Sequence, residues 1–179
     1  MKKEFLEIYN FHCPRWKELP DQTLFNQEVV NYIAKILKPI MFEEFPITKT
    51  MVQNYTKLGF LPKPEGRKYN RTQIAYLIVI AVYKQVLNIS EVKRGVELQL
   101  DFMRINRAYD TFAQTVEDAL KNVFGYMVEK GEKYIGGFKV DERKLGVELI
   151  ANAFALKLLG TMILQQRGFK NLEEQNEKN

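Results

Sequence analysis

Residues 47–87 read ITKTMVQNYTKLGFLPKPEGRKYNRTQIAYLIVIAVYKQVL, and the rest of the chain is organised around this stretch. Its first part, residues 47–62, is punctuated as a short helix: Thr48 can cap the leading orphan amides, and Gly59 suits a left-handed exit. At 100° per residue, Met51, Val52, Tyr55 and Leu58 fall on one arc, while Lys49, Thr50, Gln53, Asn54, Thr56 and Lys57 fall on the other. The outer arc carries cations, amides and hydroxyls without a carboxylate. Amides and hydroxyls bond base edges or phosphates and lysines attract phosphate, which would repel a carboxylate. The next segment, PKPEGRKYN (62–70), places Gly66 between short arms and predicts a tight hairpin or wing with Arg67 and Lys68 at its tip and return. Asn70 and Gln73 have capping-box spacing and open a helix over 74–87. That helix is apolar on nearly every side, which requires burial on more than one face.

Upstream, residues 1–21 mix Phe5, Tyr9, Phe11 and Trp16 with Pro14 and Pro20 and read as an irregular strap packed on a body. Asp21 is the expected N-cap of a helix over 22–37, with Leu24, Phe25, Val29, Tyr32, Ile33, Ile36 and Leu37 at helical spacing and Pro39 beyond it. Downstream, Ser90 is the expected cap of a helix carrying Val92, Val96 and Leu100 on one side, in a module running over 22–100. A region over 101–166 is expected to be helical. Its first helix, 110–128, presents Phe112, Val116, Leu120, Val123 and Met127, and a segment with Gly131, Gly136 and Gly137 follows as a hinge. A helix over 142–166 then sets Leu145, Leu149, Asn152, Leu156, Leu159 and Ile163 in alternating steps of four and three, a coiled-coil seam. The same pattern serves intersubunit pairing and intramolecular packing equally. Residues 167–179 read as a disordered tail. The fold class expected is therefore mainly α, a winged helix-turn-helix with a minimal two-stranded wing plus a C-terminal helical region.

Charge narrows the function. The chain carries a net charge of +5, and residues 46–98 hold nine Lys/Arg against three Asp/Glu, whereas the flanking segments are close to balanced. A positive field confined to one segment is the footprint of a polyanion-binding surface. One cysteine, Cys13, excludes an intramolecular disulfide, and a single histidine, His12, beside it cannot furnish the ligands of a usual zinc site. No metal or cofactor is expected. No run reaches the roughly 18 consecutive apolar residues of a membrane span, and MKKEFLEIYN has no apolar stretch behind its lysines, so a cytoplasmic protein is expected.

The features of residues 47–98 occur together in the order found in MerR-type winged-helix proteins. They are the capped helix ending in YTKLGFLP, the short basic wing, the RKYN turn into a long apolar helix, and LNISEV opening the last helix. A longer run, from PRWKELPD (14–21) through ITKTMVQNY and KYNRTQIAYLIVIAVYKQVL to ISEVKRGV, resembles the bacterial family described as domain of unknown function 1836. The MerR resemblance implies a recognition helix over 49–58 in the major groove, wing residues Arg67 and Lys68 on the flanking backbone, and Tyr69 packed beneath the wing.

The expected function is a DNA-binding transcriptional regulator acting on double-stranded DNA as a homodimer, with any small-molecule effector unspecified. Its DNA-contacting residues would be Lys49, Thr50, Gln53, Asn54, Lys57, Arg67, Lys68 and Arg71. Its oligomerisation residues would be Leu149, Asn152, Leu156, Leu159 and Ile163. The alternative is a helical protein-interaction module that uses the same scaffold without DNA. An enzyme is not expected. His12 and Cys13 adjoin in sequence, which does not establish nucleophile–base geometry, and Glu117 and Asp118 diverge on a helix as on a solvated face.

Overall fold

A computed structural model describes residues 2–128 and 143–165. The glycine hinge and the C-terminal tail anticipated above lie outside these residues. Among the described residues the chain is mainly α-helical with one small sheet. Seven α-helices run in the order α1 (Lys2–Tyr9), α2 (Asn26–Leu37), α3 (Lys49–Lys57), α4 (Arg71–Tyr83), α5 (Ile89–Phe102), α6 (Ile105–Val128) and α7 (Leu145–Gln165). The strands are β1 (Leu24–Phe25) and β2 (Lys68–Tyr69), paired antiparallel with Leu24 opposite Tyr69 and Phe25 opposite Lys68.

The sheet corrects two expectations. Residues 62–70 do not fold back on themselves as a hairpin: β2 takes its partner from residues 24–25, on the far side of α2 and α3 in sequence. Gly66 still turns the chain, at φ 65°, but the two prolines beside it at positions 62 and 64 cannot donate to a ladder, which leaves the near arm without a strand. Because Leu24 and Phe25 are strand, α2 begins at Asn26 rather than behind Asp21. The Glu28 carboxylate accepts the Phe25 N–H at 2.7 Å and closes that end. Asp21 instead bonds Arg71.

The chain divides into two compact units. One comprises Cys13–Gln114. Its core is built on α4, where Ile74, Ala75, Leu77, Ile78, Ile80, Ala81, Val82 and Tyr83 are all buried, as an all-round apolar helix requires. Asn70 and Gln73 form the anticipated capping box: the Asn70 side chain accepts from Thr72 N at 2.9 Å, and Gln73 Oε1 accepts from Asn70 N at 2.8 Å. Val29, Val30, Ile33 and Leu37 form the buried stripe of α2. The cap of α5 is Asn88 rather than Ser90. Its side chain accepts from Glu91 N at 3.0 Å while Glu91 accepts from Asn88 N at 2.8 Å, a reciprocal box that Ser90, two residues further on, cannot make with Glu91. Around Cys13, which is fully buried, lie Tyr32, Tyr83 and Tyr109, and all three phenols are pushed up from their ordinary pKa, chiefly by burial and then by the thiol.

The other unit comprises residues 1–12 and 115–179. The segment expected to be one irregular strap thus begins as a helix, α1, whose Phe5 and Ile8 are buried. Phe5 meets Phe124 of α6 with ring centroids 6.1 Å apart. On α7 the buried residues are Val147, Ala151, Phe154, Ala155, Leu158, Leu159 and Met162, a helical stripe of the kind that packs into a core. By length and composition Leu145–Met162 would also suffice to cross a membrane, although no run of that length is uninterruptedly apolar; 39% of the stretch is buried in the structure.

Candidate nucleic-acid interface

The helix α3 is fixed at both ends by local chemistry that the sequence dictates. Thr48 Oγ1 accepts from Met51 N at 3.3 Å, and Asn26 of α2 donates its amide to Lys49 O at 3.2 Å, tying the two helices together where they start. At the other end Gly59 takes φ 68°. There Phe60 N bonds Tyr55 O at 2.9 Å and Gly59 N bonds Thr56 O at 3.3 Å, the paired bonds of a Schellman exit. Val52 and Tyr55 are the buried anchors. Lys84, which caps the C-terminus of α4, donates to the Tyr55 hydroxyl at 2.9 Å, with its ammonium 5.7 Å from the ring centre.

With that face held down, Lys49, Thr50, Gln53, Asn54 and Lys57 all point to solvent. They stand at spacings of one, three and four, a single stripe along α3. Two members of the anticipated division move. Thr56 is half-buried and donates its hydroxyl to Val52 O at 2.8 Å, so it serves the helix itself. Leu58, assigned to the buried arc, is 65% exposed because the Schellman exit turns the chain just after it.

Arg67 and Lys68 are exposed at the entry to β2, while Tyr69 is buried beneath the sheet, as the alternation of a strand dictates. The Lys68 ammonium stands 4.7 Å from the ring centre of Phe25, its cross-strand neighbour. Phe25 is itself 52% exposed, whereas helical periodicity alone puts it on the apolar face of α2. The pairing between residues 24–25 and 68–69 that exposes it joins segments too distant in sequence for local periodicity to reveal. Lys63, also exposed, lies on the same loop.

The segmental excess of positive charge is not all available to a ligand. Arg71, expected to contact DNA, bonds Asp21 at 2.8 Å and Leu19 O at 3.2 Å, pinning residues 19–21 to the start of α4. Its guanidinium is therefore structural. Lys84 is spent on Tyr55. Among the described residues, no ion pair engages Lys49, Lys57, Arg67 or Lys68. Together with Lys63, those four carry the open charge of α3 and the loop entering β2.

Other candidate residues sort differently. His12 Nδ1 lies 3.1 Å from Glu117 Oε1; the His12 side chain is 58% exposed and that of Glu117 only 7%. Glu117 is thus not on a solvated face, although Asp118 is, and Cys13 is buried in the other unit. Among the described residues no three His, Cys, Asp or Glu side chains gather as a metal-holding group. The seam on α7 is split by the fold. Leu149 and Leu156 are exposed, Leu145 and Asn152 half-buried, and Leu159 buried; the side chain of Ile163 lies outside the described residues. Asn152 donates to Glu148 O at 2.8 Å, within its own helix.

A family model described as "Domain of unknown function (DUF1836)" matches residues 14–112, nearly coincident with the unit Cys13–Gln114. No curated protein and no solved structure is significantly similar to the chain.

Proposed function

We propose that this chain, which belongs to the DUF1836 family, is a DNA-binding transcriptional regulator in which α2 and α3 act as a helix-turn-helix and the loop entering β2 acts as a minimal wing. The observation that carries the reading is the stripe Lys49, Thr50, Gln53, Asn54, Lys57: exposed, free of carboxylates and mounted on a helix whose opposite face is locked into the core. Folding does not require that composition. Duplex DNA does, since phosphates need cations and base edges need amides. In this reading β1 and β2 brace the wing against the start of α2, so Arg67 and Lys68 reach the backbone flanking the groove that α3 enters. A homodimer supplies the second recognition helix for a palindromic operator, one helical turn or roughly 34–36 Å away. Fluorescence anisotropy with a labelled random duplex at low and moderate salt tests the proposal. Saturable binding that weakens steeply with salt is expected; its absence at low salt would refute it.

A specific observation also favours a protein-interaction role. Leu149 and Leu156 remain 51% and 46% exposed on a helix whose other face is fully packed. Seven residues apart, they stand on one side of α7 and leave an apolar stripe for a partner helix. We assign this stripe to the homodimer, which makes the two readings parts of one molecule rather than rivals.

A further inference from the structure

A cleft of about 230 Å³ opens between the exit of α3 and the flank of α5, lined by Gly59, Phe60, Leu61, Tyr76, Lys93 and Glu97 among others. Its floor is apolar and aromatic, and its rim carries one cation and one anion. The Lys93 ammonium stands 5.9 Å from the centre of the Phe60 ring and 3.7 Å from Glu97. That ion-pair distance exceeds the 2.7–3.2 Å of a made hydrogen bond, so both charges keep unused hydrogen-bonding capacity. Lys93 and Glu97 are also 41% and 60% exposed, open to a ligand. Tyr76, half-buried, has its phenol pushed up by burial and by the Glu97 carboxylate, so it presents a neutral hydroxyl as donor and acceptor.

From this juxtaposition we infer that the cleft binds a small aromatic zwitterion, a free aromatic amino acid being the simplest member of the class. The ring lies on Phe60 and Val96, the carboxylate meets Lys93 and the ammonium meets Glu97. The volume is below the roughly 300–1,000 Å³ of pockets for drug-sized ligands, which restricts the guest to about one ring system. Occupancy bears directly on α3. Phe60 N–H makes the bond to Tyr55 O that closes the helix, and the Phe60 ring meets the Tyr55 ring edge-on at 6.1 Å. A guest on Phe60 therefore biases the exit of α3, and any change it makes in DNA affinity is mirrored by an equal effect of DNA on its own binding. This second half of the inference rests on α3 being the recognition helix.

The test is a ¹⁵N–¹H NMR titration of the full chain with L-phenylalanine, and separately with 3-phenylpropanoate and phenethylamine, which keep the ring and one charge each. L-Phenylalanine is expected to shift Gly59, Phe60, Tyr76, Lys93, Val96 and Glu97 with a Kd of about 1 mM, given its few non-hydrogen atoms. Each single-charge analogue should bind about tenfold more weakly, the worth of one lost charge-assisted contact. Val96→Trp, which fills the cleft, should abolish the shifts, and Lys93→Met should weaken them, with thermal melts confirming that both variants fold. No response by about 10 mM, an unchanged response in Val96→Trp, or analogues binding as well as L-phenylalanine would overturn the site. Anisotropy with duplex DNA in the presence of L-phenylalanine then reads the coupling. A shifted DNA midpoint supports it, and an unshifted midpoint at saturation overturns it. Cleft binding that persists in a protein with no DNA affinity upholds the ligand site and counts against the DNA reading alone.

Discussion

Replacing Lys57, Arg67 and Arg71 one at a time by alanine separates cations proposed to meet phosphate from a cation that holds the fold. Four of the open cations, Lys49, Lys57, Arg67 and Lys68, assigned to phosphates, predict a slope of log affinity against log salt of about −3.6 per subunit, at 0.9 per neutralised phosphate. Raising salt fourfold should therefore weaken binding about 150-fold. Lys57→Ala and Arg67→Ala should each bring the slope to about −2.7, so the same fourfold step costs only about 40-fold. Arg71→Ala should leave the slope at its wild-type value, because that guanidinium is engaged by Asp21 and Leu19 O. It should instead lower stability. Asp21 is almost fully exposed, so the ion pair itself contributes little, and the bond to the Leu19 carbonyl brings the loss to about 1–2 kcal/mol, or roughly 3–6 °C in Tm for a chain of this size. Anisotropy titrations at four or five salt concentrations, paired with thermal melts, provide both readouts. A slope unchanged in Arg67→Ala, or reduced as much by Arg71→Ala, would refute the partition of charge described above.

Gln53→Ala and Asn54→Ala should each relax preference at one base pair per half-site, by about 1–3 kcal/mol of discrimination, while leaving random-duplex affinity nearly intact. Selection from randomised duplexes returning the same motif for wild type and both variants would show that the amides do not read bases. Leu156→Asp should convert the proposed dimer to a folded monomer, because the aspartate falls in the apolar stripe and not in the core; sedimentation of an unchanged dimer would move the interface elsewhere. Tyr83→Phe should raise stability by about 1 kcal/mol at neutral pH, since the Tyr83 hydroxyl is buried without a hydrogen-bond partner among the described residues. Burial lifts that phenol above its unfolded value near 10, so its neutral form is favoured by folding and stability is lost as pH climbs past 10. Urea denaturation at pH 7 and pH 10.5 should find a shallower alkaline loss in Tyr83→Phe, and a variant less stable than wild type at pH 7 would contradict the account.

The elements legible in advance were those whose determinants are local. Thr48, Gly59, Asn70 and Gln73 occupy the cap positions expected of them because each bond spans only a few residues. The burial of α4 was legible for a related reason: a helix apolar on all sides has no solvent face to offer. Failures occurred where a distant partner outweighs local periodicity. Leu24 and Phe25 continue the helical spacing of α2, yet the backbone of Lys68 and Tyr69 draws them into a ladder, and no pattern within either segment announces the other. Ser90 and Asn88 are both good caps, and the choice between them turns on Glu91, which Asn88 reaches at N3.

The candidate site shows the same division. Which side of α3 faces outward follows from a 100° repeat and holds for Lys49, Thr50, Gln53, Asn54 and Lys57 alike. Which cations are free to act does not follow from any repeat, because it is decided by carboxylates and carbonyls supplied from elsewhere in the fold. Arg71 illustrates the point: two residues after Tyr69 in sequence it reads as the next basic residue of the wing, whereas its partners, Leu19 and Asp21, come from about fifty residues upstream. A net positive segment is thus an upper bound on the charge offered to a polyanion, and pairing within the fold lowers it residue by residue. The cations left open on α3 and the loop entering β2 after that subtraction are the ones whose removal should be read in the salt dependence, and the paired ones should be read in stability.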